Sequence, residues 1–80
     1  MDDNEIRSTI DRLLTEEHEL RTQHELEPLD NGRAARLRQL EESLDQCWDL
    51  LRQRRAKREF GLNPDDVEAR DTSVVEHYRQ

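Results

Sequence analysis

Hydrophobic residues return every three or four positions along two stretches of this chain, with polar residues filling the gaps. Leu37, Leu40, Leu44, Cys47 and Leu51 recur at spacings of 3, 4, 3 and 4. That spacing keeps one apolar stripe on one side of a helix. Trp48, the only tryptophan, widens it, and no Gly or Pro interrupts 33–60. The pattern predicts a helix over 33–60. A second stripe runs through Ile6, Ile10, Leu13, Leu14 and Leu20, weakened toward its C-terminal half where Glu17 and His24 occupy stripe positions. It predicts a helix over 4–27. Asp2, Asp3 and Asn4 suit its positive N-terminal end. Pro28 ends it, because proline disfavours helical geometry in the residue before it.

Residues 28–32, Pro-Leu-Asp-Asn-Gly, have turn composition, with Asn31-Gly32 as the turn pair. A link this short makes the two helices antiparallel. Matching the stripes about it puts Leu20 near Leu40, Leu13 near Cys47 and Ile10 near Leu51. The expected core is therefore Ile10, Leu13, Leu37, Leu40, Leu44, Cys47, Trp48 and Leu51. Gly61 suits the left-handed position after a helix end, with Leu62 folding back on the last turn. Asn63-Pro64-Asp65-Asp66 reads as a fresh helix start, giving a short helix over about 64–70. Residues 71–80 are read as a non-helical tail packed on the hairpin. The expected fold is all-α: one small domain, 1–80, built as a long antiparallel helical hairpin with a short third helix and a packed C-terminal tail.

Charge sharpens the register. Residues 1–27 carry nine acids and three bases, and residues 33–60 carry five acids and eight bases. The basic end of the second helix thus returns beside the acidic start of the first, placing Arg54, Arg55 and Arg58 near Asp2, Asp3 and Glu5. Formal net charge is −7 with 41% charged residues, which weighs against general affinity for nucleic acid or anionic membranes. A chain of 80 residues with one Trp, one Tyr and one Phe has a thin core, so a second copy or another protein would help it fold.

Candidate chemistry is sparse. Arg52, Arg54, Arg55, Lys57 and Arg58 form the one basic cluster and the candidate interaction surface. It could contact phosphate, but no aromatic interleaves it in sequence and the facing acids would neutralise it. His18, His24 and His77 lack the i, i+4 spacing of a helical zinc pair. Glu16, Glu17 and Glu25 lack the sheltered pocket that acid–base catalysis needs. Cys47, the only cysteine, excludes an intrachain disulfide and reads as a small buried hydrophobe. No Gly-rich phosphate loop or Ser nucleophile motif is present. No cofactor, metal or catalytic residue is expected. The acidic start lacks signal-peptide character, and no apolar run approaches the roughly 20 residues that span a bilayer, so a cytoplasmic location is the expectation.

Four segments carry a resemblance: Glu16–Arg21, Leu40–Gly61 (with Leu44-Asp-Gln-Cys-Trp-Asp-Leu-Leu-Arg-Gln-Arg-Arg55 the most specific), Asn63–Asp65 and Val75–Gln80. They are similar to short actinobacterial helical proteins of a domain-of-unknown-function family (DUF2630), over nearly the whole length. The resemblance implies a cytoplasmic helical protein from a high-GC bacterium and brings no activity, ligand or catalytic residue. A shorter likeness, Ile6–Leu14 to the first helix of all-helical chorismate mutases, stops after that helix. Their substrate-binding basic residues have no counterparts here, so it reads as amphipathic-helix coincidence. The sequence thus points to a non-enzymatic interaction module or regulator, binding another protein or a second copy of itself. The alternative is an RNA- or ribosome-associated protein using the basic end of the second helix.

Overall fold

The computed structural model describes residues 2–67. Two helices, α1 (Asp3–Leu26) and α2 (Asn31–Glu59), pack against each other as an antiparallel hairpin. At about 1.5 Å per residue α2 is roughly 43 Å long, and it sets the long axis of a 50 × 24 × 18 Å body.

The helix ends follow from local chemistry. Asp2 caps α1, its Oδ1 accepting from the Glu5 N–H at 2.8 Å. Glu27 leaves the helix in an extended conformation ahead of Pro28. The turn lies two residues earlier than the Asn31-Gly32 pair suggests. Asp30 caps α2 by accepting from the Arg33 N–H at 2.8 Å, so Asn31 and Gly32 are the first two helical residues. Aspartate is a strong N-cap, and Asn-Gly shapes a turn only where the chain leaves both residues outside a helix. At the other end, the Gly61 N–H donates to the Arg58 carbonyl and the Leu62 N–H to the Lys57 carbonyl. Gly61 sits at φ 71° between them. This is the paired-bond helix stop in which a left-handed glycine satisfies the last carbonyls. Residues 63–66 then make a side-chain-capped turn, the Asp65 N–H donating to Asn63 Oδ1 and the Asp66 N–H to the Asn63 carbonyl. Through Val67 that segment is not helical. The rest of the expected third helix and the tail over 71–80 lie outside the described residues.

The core is one seam. Ile6, Ile10, Leu13 and Leu20 of α1 meet Leu40, Leu44 and Cys47 of α2, with Leu37, Leu50 and Leu51 half-buried against them. Ile6 and Leu40 are the most enclosed. Burial raises the Cys47 thiol pKa above its usual value. Trp48 departs from expectation: it is 45% exposed and outside this core. The reason is geometric. Trp48 sits one residue, or about 100°, round the helix from Cys47. A two-helix layer buries a single stripe, and among the described residues no third element covers that side.

Ion pairs across the seam fit the matched stripes. Arg36 grips Glu16 through two guanidinium nitrogens, at 2.5 and 3.0 Å. Arg21 donates to Glu41 at 2.7 Å. Near the turn, Arg33 donates to Gln23 at 2.9 Å. Exposed pairs like these contribute little each, but together they favour one orientation of the two helices.

Candidate interaction surface

The five basic residues of the sequence cluster do not act together. Arg54 turns inward and is 5% exposed. Its Nε donates to Asp3 Oδ1 at 2.5 Å. Its Nη1 donates to Asp65 Oδ1 at 2.8 Å and to the Pro64 carbonyl at 3.1 Å. Arg58 joins the same Asp3, Nη2 to Oδ2 at 3.0 Å. A planar guanidinium presents several donors in a fixed fork, and that geometry lets one side chain hold three acceptors. The Arg54 and Arg58 hydrogen bonds, in that order, lower the Asp3 pKa below 3.8. The Asp65 and Asp3 bonds raise that of Arg54. Arg54 is therefore a structural clamp joining the start of α1, the end of α2 and the following turn, and it is removed from the interaction surface. Arg55 pairs with Glu59 within α2 at 3.0 Å rather than with α1. Lys57 lies elsewhere, beside Phe60, Leu62 and Ala56.

Arg52, Arg55 and Arg58 instead converge with Arg7 and Asp3 of α1 in a groove lined by Trp48 and Leu51. The same indole also borders a second groove, which runs toward the interhelix turn over Leu14 and Leu44 and is flanked by Glu17, Glu41 and Asp45, with Arg21 and Arg52 among them. Leu14 is 41% exposed. One broad side of the hairpin thus carries an apolar centre of Trp48 and Leu14, an end richer in bases that includes Asp3, and an end richer in acids that includes Arg21. Sequence spacing hides part of this, because Arg7 and the acids of α1 join the face only when the chain folds back. A signal was available nonetheless: Glu41, Trp48 and Arg55 are seven residues apart, two helical turns, and so share a face.

The other candidates separate. His18 and His24 are exposed surface residues, and Glu25 likewise. Glu16 is held by Arg36, whose hydrogen bond lowers its pKa below 4.5. Glu17 lies 3.6 Å from Arg21. Among the described residues no three His, Cys, Asp or Glu side chains are placed to share a metal ion. No helix of the described residues is long and apolar enough to cross a membrane. Asp49, which sequence reasoning passes over, is buried and accepts from Gln53 Nε2 at 2.8 Å, with Arg52 3.6 Å away.

Comparison with known proteins adds lineage without adding chemistry. The model of the family described as "Protein of unknown function (DUF2630)" matches residues 2–80. An uncharacterized protein of Mycobacterium tuberculosis (strain ATCC 25618 / H37Rv) is 42% identical over 77 residues, covering 95% of this chain and 88% of the relative. An uncharacterized protein of Mycobacterium bovis is similar to the same extent. No solved structure matches this chain.

Proposed function

The chain belongs to the DUF2630 family of proteins of unknown function, and from that premise we propose that it is a non-enzymatic protein–protein interaction module or regulator. The observation that carries this reading is the position of Trp48. The only tryptophan of a thin-cored chain is spent on the surface, next to a half-exposed leucine, on a face with charge of both signs. Exposed apolar patches rimmed by charge suit binding, and tryptophan and arginine are the residue types that carry most binding energy in protein interfaces. Both grooves on this face open to solvent, and Glu16, Glu17 and Asp3 are occupied by ion pairs, so the arrangement offers binding more readily than proton transfer. A single buried free thiol suits a reducing, cytoplasmic setting.

One observation favours the alternative, an RNA- or ribosome-associated role. Arg7, Arg52 and Arg55 surround an exposed indole, and guanidinium groups beside an aromatic face suit single-stranded nucleic acid. Against it stand Asp3 and Glu59, which already pair with Arg58 and Arg55, and the net charge of −7. Affinity purification of the tagged chain from its host separates the two, with Trp48→Ala alongside. One stoichiometric protein, retained at moderate salt and lost with Trp48→Ala, is the expected result. Recovery of RNA or ribosomal proteins that wash off steeply as salt rises would overturn the module reading.

A further inference from the structure

The occupant of this face can be argued from its charge pattern, taking the interaction-module reading as the starting point. We propose that the Trp48 face binds a second copy of the same chain in an antiparallel, two-fold arrangement centred on Trp48. The face is complementary to itself. Along α2, Glu41 lies seven residues before Trp48 and Arg55 seven after, each roughly 10 Å from the indole along the helix axis. α1 adds Glu17 beside Glu41 and Arg7 beside Arg55, together with one opposite charge at each end, Arg21 paired with Glu41 and Asp3 paired with Arg58. A two-fold axis through Trp48 reverses the helix direction in the partner. Each copy's Arg55 then meets the other's Glu41, and the two indoles and Leu14 side chains meet near the axis. An isologous interface requires such a patch, in which the groups on one side of a central point are matched by their opposites on the other.

Size permits it. The two largest extents of the molecule, 50 and 24 Å, enclose on the order of 1,200 Å², which leaves room for the roughly 800 Å² per partner of a stable specific interface. The product is a four-helix assembly, the usual way for helical hairpins to cover a second apolar face. Arg55 and Glu41 have in-chain partners, Glu59 at 3.0 Å and Arg21 at 2.7 Å. Both pairs are solvent-exposed, so each side chain can share its partner with a group arriving from the other copy.

Charge reversal tests the inference on the intact purified chain. Sedimentation or light scattering of the wild type should give twice the 9.6 kDa chain mass. Arg55→Glu places acid against acid twice by symmetry, and Glu41→Arg places base against base twice. Each variant alone should raise the dimer dissociation constant about tenfold or more. An equimolar mixture of the two should form a mixed dimer. The double variant, which keeps the net charge of −7, should dimerise again. Unchanged helical circular dichroism in each variant confirms that folding is intact. A wild type that stays monomeric, single variants that dimerise like it, or a double variant that stays dissociated would each overturn the proposal. A monomeric chain that still captures one stoichiometric host protein through Trp48 would overturn the second-copy inference and leave the module reading standing.

Discussion

At the residue scale, burial and partner count decide which side chains matter to the fold. Leu40 is fully enclosed, so Leu40→Ala should lower unfolding free energy by about 2–5 kcal/mol. Trp48→Ala removes a larger side chain, yet the indole is almost half exposed. In the single chain it should cost about 1 kcal/mol or less by urea denaturation followed by circular dichroism. The ranking of these two variants reads out the departure from the sequence expectation, since a core tryptophan would cost more than the leucine. Cys47 should resist alkylating reagents in the folded protein and react only on denaturation, because burial raises its pKa and shields it. Asp3 supplies a pH signature. Its carboxyl is held below 3.8 by Arg54 and then Arg58. Its contribution to stability is fully present above that ordinary value and is lost as pH falls through the lower folded value. Melting temperature should therefore drop for Asp3→Asn near neutral pH, and the gap from wild type should close in acid as the lowered Asp3 carboxyl takes up its proton.

At the element scale, the helices were legible because each rests on a repeated signal, and the junctions were harder because each rests on one residue. Seven buried apolar positions at helical spacing outvote any single exception, so the two helices and their pairing could be read from the stripes. The interhelix turn depended on whether Asp30 or Asn31-Gly32 governed, and the cap won. That choice has a measurable consequence. Gly32 lies in the first turn of α2 with a negative φ, and an added Cβ would meet only Asp30 Oδ1, at an ordinary 3.5 Å. Gly32→Ala should stabilise the protein by about 0.5–1 kcal/mol, whereas it would destabilise a left-handed turn. Gly61→Ala should do the opposite and cost about 1–2 kcal/mol, because φ is 71° there and L-residues avoid that region. Thermal melts of the two alanine variants should shift in opposite directions. Asp2→Ala, which removes the α1 cap, should cost about 1 kcal/mol.

At the scale of the whole molecule, the hairpin is pinned at both ends by different means, and only part of that was legible. The acidic and basic ends were correctly paired from charge counts, but composition could not show that Arg54 would be drawn inside while Arg52 and Arg55 stayed out. Nor could it show that Trp48 would gather basic and acidic groups on one face, since those come from both helices. The Arg54 clamp also has a kinetic consequence. Contacts near the turn, such as Arg33 with Gln23, join residues ten apart in sequence, whereas Arg54 to Asp3 spans 51. Closing a short loop is faster and costs less entropy, so the hairpin should zip from the turn outward and the clamp should engage last. Arg54→Met should then leave the refolding rate nearly unchanged and speed unfolding, whereas Leu20→Ala beside the turn should slow refolding. Stopped-flow measurements on both variants would show it. The guanidinium of Arg54 would act as a latch on the open end, setting how long a folded molecule lasts rather than how quickly it forms.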